Sequence, residues 1–377
     1  MQKAIVIILF CGLLSLPLVG QDCDDHACDG CVHDHGISIN GGPPVPGEYH
    51  DIRQSPLLSD PKYQEPAQDP VLMVYNKEKI LEGDFIAPVF SADGENILVT
   101  NLGYKGVWMG DVRGEGLQKI SDASLASWRP YVVDEDAIYF RSVDFSERGD
   151  VTYSIQKYDF GARKAEIIYQ GEKNENIYSP IITKERDALL YIREGDLVGR
   201  SVREVPGVRS LEERKVQLAY SDIISGEGAV YVTSFGTRDI RKISVGDVAG
   251  AEVMSPDGKK VVYLTSAVKD GGGMVYNLET GTQVEVGEGS GFAWSPDSEW
   301  LVYEVVVDDG HIILQSELFI IRADGTNRQR LTFDEGIALQ NPSWSPDGQR
   351  IVAEDIFSGG IYLLEVEFTD NTKKGGK

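Results

Sequence analysis

Six side chains able to bind a soft metal ion lie within thirteen residues near the start of the chain: Cys23, His26, Cys28, Cys31, His33 and His35. Thiolate and imidazole are natural ligands of zinc and copper, and the interleaved Asp24, Asp25, Asp29 and Asp34 add negative charge that favours a cation. C-x-x-C followed by H-x-H lets one short loop wrap a tetrahedral ion without distant partners. Val32 separates Cys31 from His33, which excludes the haem-attachment pattern. Two other readings of the same residues stay open. Outside the cytoplasm Cys28 and Cys31 pair as a disulfide and leave Cys23 odd, or the cluster is a solvated acidic tail with no site.

A second set of candidates is spread along the chain. Glu82, Asp84, Asp122, Glu172, Glu175, Glu288, Asp334 and Glu335 fall in short polar stretches between apolar runs. Gathered on one face, they would attract a cation or a basic partner segment. Ordinary loop polarity in an acidic protein is the competing reading. Elsewhere the residues offer little to a catalyst. No cysteine follows Cys31, His311 is the single histidine beyond residue 50, and no G-x-S-x-G nucleophile elbow occurs. A glycan-active pair of carboxylates remains an alternative, although no spacing singles one out. Gly271 to Gly273 lacks a strand–turn–helix context for phosphate and reads as a loose hairpin loop. Trp294, Trp300 and Trp344 alternate with other apolar residues and read as core.

The regions that would hold these residues differ in composition. Lys3, an apolar run from Ala4 to Leu16, then Pro17 and Gly20 read as a secretory signal over residues 1–20, placing the protein in the periplasm or outside the cell. An uncleaved anchor and a lipoprotein are the competing readings, the latter opposed by bulky Phe10 before Cys11 and by Asp22 before Cys23. Residues 21–36 form the Cys/His tail, and 37–70 a Pro-rich acidic linker. Seven of the sixteen prolines lie between Pro43 and Pro70, and residues 21–70 carry ten acids against Arg53 and Lys62. With no apolar period, such a stretch cannot bury enough surface to offset its ordering entropy. A short disordered tail is expected over 369–377. The formal net charge of −24 disfavours binding to nucleic acid, and a monomer is expected.

Residues 71–368 are repetitive. PVFSADGENILV (Pro88 to Val99), EVMSPDGKKVVY (Glu252 to Tyr263), FAWSPDSEWLVY (Phe292 to Tyr303) and PSWSPDGQRIVA (Pro342 to Ala353) align directly. In each, an apolar strand ends at a serine, a tight turn follows, and a second apolar strand begins. Proline presets φ, aspartate bonds back to the backbone, and glycine accepts the left-handed conformation. Weaker copies lie around Val133, Thr183 and Ser225. Taking Ser91, Val133, Thr183, Ser225, Ser255, Ser295 and Ser345 as equivalent gives steps of 42, 50, 42, 30, 40 and 50 residues. These bracket the four-stranded propeller blade of roughly 40–45 residues. The fold class is therefore all-β, a β-propeller of six to seven four-stranded blades, with seven favoured and one trimmed. Residues 71–82 look like an outer strand pair with no inner pair before them, whereas the last repeat stops after Ile361 to Val366. An N-terminal strand completing the final blade would close the ring and remove a free edge.

The S-P-D-G turns after apolar strands, with Ala323-Asp-Gly-Thr-Asn-Arg-Gln-Arg-Leu-Thr332, resemble the TolB C-terminal propeller family, also described as WD40-like or PD40 repeats. The resemblance spans roughly residues 71–368. It implies a propeller fold and commonly a protein-binding role in the Gram-negative envelope. TolB itself has a mixed α/β domain ahead of its propeller, where this chain has the Cys/His tail and linker. The expected role is an exported, non-enzymatic scaffold for a protein or peptide partner, with a zinc- or copper-binding tail. A glycan-active propeller enzyme and a metal chaperone or sensor are the alternatives.

Overall fold

A computed structural model describes residues 71–124, 132–133, 136–178, 180–182, 188–193, 196–201, 217–224, 227–234, 240–243, 248–266, 272–309, 311–333 and 336–369. The expected signal, Cys/His tail and linker lie outside these residues, as do most of the expected C-terminal tail and the repeat markers Thr183 and Ser225. Every regular element described is a strand, and no described helix is long and apolar enough to cross a membrane.

The strands follow one another as antiparallel meanders. After β1 (Val71–Leu81), sheet 1 contains β2 (Phe85–Phe90), β3 (Asn96–Asn101), β4 (Lys105–Asp111) and β5 (Gln118–Ser124). Sheet 2 contains β6 (Val132–Val133), β7 (Ala137–Phe145), β8 (Val151–Asp159) and β9 (Lys164–Gln170). Sheets 3 and 4 show three strands each: β10 (Ile181–Ile182), β11 (Ala188–Arg193) and β12 (Asp196–Ser201), then β13 (Gln217–Ile224), β14 (Glu227–Ser234) and β15 (Ile240–Lys242). Sheet 5 contains β16 (Val248–Met254), β17 (Lys260–Thr265), β18 (Gly272–Asn277) and β19 (Gln283–Glu288). Sheet 6 contains β20 (Ser290–Trp294), β21 (Trp300–Asp308), β22 (Ile313–Arg322) and β23 (Gln329–Arg330). Sheet 7 joins β24 (Leu339–Trp344), β25 (Arg350–Asp355) and β26 (Ile361–Thr369) to β1, in the order β1-β26-β25-β24.

The four strong repeats fold as their turn chemistry requires. The hydroxyl of Ser91 donates to Asp93 at 2.5 Å and accepts the Asn96 N–H at 2.8 Å, while Asp93 accepts the Glu95 N–H at 2.9 Å. Ser255, Ser295 and Ser345 make the same bonds with Asp257, Asp297 and Asp347. The fourth turn position is left-handed throughout, φ 75° at Gly94, 73° at Gly258 and 73° at Gly348. Sheet 6 places Ser298 there at φ 63°. Its hydroxyl accepts the Asp257 N–H at 3.1 Å, so the exception also ties sheet 6 to sheet 5.

Central strands are apolar on both faces because each sheet is sandwiched. In β21, Leu301, Tyr303 and Val305 pack toward sheet 5, while Trp300 and Val302 pack toward sheet 7. Among the described residues seven such apolar clusters occur, each between two sheets adjacent in sequence or, in one case, between sheets 7 and 1. That case unites Leu81, Ile361 and Leu363 with Phe90, Ile97 and Val99. The packing order is therefore cyclic, as in a β-propeller. Trp294, Trp300 and Trp344 are buried in these clusters, as their alternation predicts.

Two local expectations need correction. The stretch 71–82 is one strand, not a pair: β1 runs antiparallel to β26 from Val71↔Thr369 to Leu81↔Ile361, with irregularities at Val74/Asn76 and Lys79/Leu81. Asn76-Lys-Glu-Lys79 has neither proline nor glycine to reverse the chain. Gly272 and Gly273 open β18 rather than forming a loose loop, paired with Thr265 and Leu264. A Cβ on Gly272 would stand 2.3 Å from the Gly287 carbonyl oxygen, and one on Gly273 2.5 Å from the Phe292 ring. These glycines permit close packing.

Candidate functional site

The first strands of sheets 6, 7 and 1 carry the same irregularity. Each loses register four residues before the turn serine, between Ser290/Ala293, Gln340/Ser343 and Ile86/Val89. The residue there is left-handed: Gly291 at φ 64°, Asn341 at φ 49° and Ala87 at φ 53°. A bulge frees a backbone N–H from its own ladder, and at Asn341 and Ala87 a carboxylate from the preceding sheet takes it. Glu304 on β21 accepts the Asn341 N–H at 2.6 Å, and Glu354 on β25 accepts the Ala87 N–H. The other oxygen of Glu304 accepts from the Ser290 hydroxyl at 2.9 Å, and that of Glu354 from the Asn341 side-chain amide at 2.8 Å. Ser290, Glu304, Asn341, Glu354 and Ala87 thus form a chain of bonds across three sheets. Both carboxylates are buried, and every oxygen carries a donor, an arrangement suited to fixing strand positions.

The two ends of the sheets differ in chemistry. In an antiparallel meander the first and third turns lie at one end. The second turn and the connection to the next sheet lie at the other. Bonds at this second end join the two kinds of loop: Leu102 N–H to the Asp84 carbonyl at 2.8 Å, Asn174 N–H to the Val151 carbonyl at 2.7 Å, and Ile356 N–H to the Ala338 carbonyl at 3.1 Å. Lys173 pairs with Asp150 there at 2.7 Å. Every second-turn hairpin described in sheets 1, 2, 6 and 7 exposes a large apolar side chain: Leu102, Phe145, Ile312 at 63% and Phe357. Phe333, on the connection leaving sheet 6, is 67% exposed. At the opposite end, the described turns 92–95, 256–259, 296–299, 346–349, 112–117, 160–163, 278–282 and 323–328 expose no large apolar residue.

These apolar tips are braced by side-chain-to-backbone bonds. Ser146 accepts the Asp150 N–H at 3.0 Å beside Phe145. Asp309 accepts the His311 and Ile312 N–H groups, both at 2.9 Å, and those two bonds, Ile312's first, hold its carboxyl below the usual range. Asp355 accepts the Ala338 N–H at 3.0 Å and the Phe357 N–H at 3.1 Å. Exposed Asp144, Glu147, Asp308 and Asp309 surround the same tips.

Of the acids expected on this face, Glu82 and Asp84 lie exposed on the connection from β1 to β2, and Glu172 lies exposed and Glu175 half-buried on that from β9 to β10. Glu82 pairs with Lys79 at 2.8 Å. Glu175 turns inward, accepting the Glu172 N–H at 2.7 Å and pairing with Arg193 at 3.4 Å. Asp122 lies within β5, and Glu288 ends β19, because only Gly289 separates β19 from β20. Asp122 is exposed and pairs with Lys119 at 2.8 Å. Asp334 and Glu335 lie outside the described residues, as do Cys23, His26, Cys28, Cys31, His33 and His35. Among the described residues no group of three or more His, Cys, Asp or Glu could hold a metal ion, so the acids described do not converge on a cation site.

No family model and no curated protein matches the chain. Among solved structures it is similar to TolB from Acinetobacter baumannii, with 15% identity over 71% of this chain and 59% of that one and a TM-score of 0.47. It is also similar to a putative TolB from Agrobacterium tumefaciens, at 19% identity, covering 58% and 87% of the two chains, TM-score 0.40. An oligogalacturonate lyase from Vibrio parahaemolyticus matches at 16% identity over 76% and 79%, TM-score 0.40. The chain spans 59% of the length of the Acinetobacter protein. Likeness at this distance says nothing of ligand or reaction.

Proposed function

We propose that the protein is an exported, seven-bladed propeller, closed by β1, that serves as a non-enzymatic scaffold for a protein partner. The difference between its two ends carries the reading. Apolar side chains stand in water on braced hairpin tips at one end, whereas the described turns of the other expose no large apolar residue, Met73 and Phe368 being exposed there only along the edge pair β1–β26. Exposed apolar groups clustered on one face are a mark of interaction surfaces, and preorganised loops bind at lower entropic cost. Seven sheets, with apolar clusters between successive ones and between sheets 7 and 1, support the proposed blade count. The proposed closing role of β1 is supported by its pairing with β26 and by its Leu72 N–H, which donates to Gln329 of sheet 6 at 2.9 Å.

The test is photo-crosslinking in the compartment to which the protein is exported. A photoreactive residue at position 145 or 357 captures a protein adduct, and one at 257 or 347, on the opposite end, does not. Equal labelling from both ends, or none from either, contradicts the assignment. We further propose that residues 21–36 bind zinc or copper through Cys23, His26, Cys28, Cys31, His33 and His35. Metal content should fall in a Cys23→Ser/Cys28→Ser/Cys31→Ser variant, and equal content in both proteins removes the site.

A further inference from the structure

Resting on the scaffold reading, we infer that the apolar-tipped face takes one kind of occupant: a cationic segment of a partner protein in which lysine or arginine alternates with aromatic or aliphatic residues. The apolar part follows from Leu102, Phe145, Ile312, Phe333 and Phe357, which stand exposed on neighbouring sheets 6, 7, 1 and 2. The cationic part follows from what lies between them. Glu82, Asp84, Asp144, Glu147, Glu172, Asp308 and Asp309 are exposed on the same loops, against Lys105, Arg148 and Lys173, and such a net negative field raises the local concentration of basic groups.

Charge also decides among the possible occupants. The chain's own segment 21–70 carries ten acids against two basic residues, so an acidic face repels it. A second copy brings another formal −24 and presents the same acids. An anionic lipid surface meets the same repulsion. A basic partner segment satisfies both features, its apolar side chains covering the tips and its cations meeting the surrounding carboxylates. The β1 and β26 ends at Val71 and Thr369 lie at the opposite end of sheet 7 from this face.

The test uses the full exported chain and a fluorescent twelve-residue peptide of alternating Lys with Phe or Leu, read by anisotropy at low and moderate salt. We expect saturable binding that weakens with salt, because exposed ion pairs are screened within about 10 Å at 0.1 M. Phe145→Ser with Phe357→Ser should weaken it about tenfold, roughly 1.4 kcal/mol. Asp144→Asn with Glu147→Gln should weaken it several-fold and flatten the salt dependence. Glu279→Gln with Glu299→Gln, on the opposite end, should leave it unchanged. Unaltered thermal unfolding of these surface variants shows that they remain folded. Equal affinity of the Phe145/Phe357 variant and the parent would reduce the effect to general adsorption of cations and overturn the inference. Equal binding of a Glu-for-Lys peptide, or preferential capture by anionic phosphatidylglycerol vesicles, would overturn it too. Positive crosslinking from position 145 or 357 with no peptide binding would remove only the partner class and leave the scaffold reading standing.

Discussion

Glu304 and Asn341 lie 37 residues apart, yet the Glu304 carboxylate accepts the Asn341 backbone N–H at 2.6 Å. The bond joins sheet 6 to sheet 7 at a bulge, and Glu354 repeats it toward Ala87 of sheet 1. A Glu304→Gln amide presents one acceptor to two donors, Asn341 N–H and the Ser290 hydroxyl. It should therefore lower unfolding free energy by about 1–3 kcal/mol, the cost of a buried donor left unsatisfied. Urea denaturation of parent and variant reads the difference, and a change of a few tenths would show that the bond adds nothing.

Trp294 and Trp344 occupy the same repeat position, immediately before the turn serine. The Trp294 indole N–H donates to the Val253 carbonyl at 3.0 Å, whereas that of Trp344 finds no acceptor among the described residues. Both are buried, so phenylalanine removes a comparable apolar area at either site. Trp294→Phe should be the costlier by about 1 kcal/mol, the net worth of one hydrogen bond. Equal losses in chemical denaturation would contradict the assignment.

Tyr303 is fully buried, and its hydroxyl accepts from Arg328 at 2.7 Å. Burial dominates over the opposing effect of Arg328 and pushes the phenol up to about 12. A raised folded value means that the native state holds the proton more tightly. Stability from this group is complete below the ordinary tyrosine value of about 10 and is lost as pH rises toward 12. The loss is of order 3 kcal/mol at about 1.4 kcal/mol per unit. Stability measured between pH ~9.5 and ~12 should fall less steeply in Tyr303→Phe than in the parent. Parallel curves would exclude the effect.

The turn aspartates bear on stability at acid pH. The Ser91 hydroxyl bond is the main reason that Asp93 titrates below its usual range, against partial burial and with help from the Glu95 N–H. At Asp257 and Asp347 burial is the largest single influence and acts upward. The serine, backbone and Lys or Arg contacts together outweigh it, so both are also lowered. Depressed folded values give stability that is present above about pH 4 and lost as pH falls through the folded values. An Asp93→Asn/Asp257→Asn/Asp347→Asn variant should melt lower at neutral pH but show a shallower acid decline. An unchanged acid limb would mean that other carboxylates set it.

The sheets were legible wherever turn chemistry is local. Ser-Pro-Asp-Gly states its own hydrogen bonds, and hairpins follow at Ser91, Ser255, Ser295 and Ser345. Long-range geometry was not legible in the same way. Glu288 looks like a loop acid because the sequence does not reveal that sheets 5 and 6 are joined through Gly289 alone, and Asp122 because nothing local shows that β5 runs on to Ser124. Glu304 and Glu354 passed as unremarkable acids, although each stands nine residues after a turn serine inside an apolar strand. A charge recurring at one offset in a buried run was the available signal. Phe145 and Phe357 carried a weaker one, since a phenylalanine beside Ser-Glu-Arg-Gly or Ser-Gly-Gly reads as the end of a strand. Its exposure depends on what the neighbouring loops fail to cover.

Every inference about faces and tips depends on β1 pairing with β26 in sheet 7, where Met73 opposes Glu367 and both are exposed. Opposed residues in an antiparallel pair stand about 4.5–5.5 Å apart, within disulfide range. In a background lacking Cys23, Cys28 and Cys31, Met73→Cys with Glu367→Cys should oxidise to an intramolecular disulfide and raise the melting temperature. Failure of this pair to crosslink in the folded protein would contradict the proposed closure of the ring by β1.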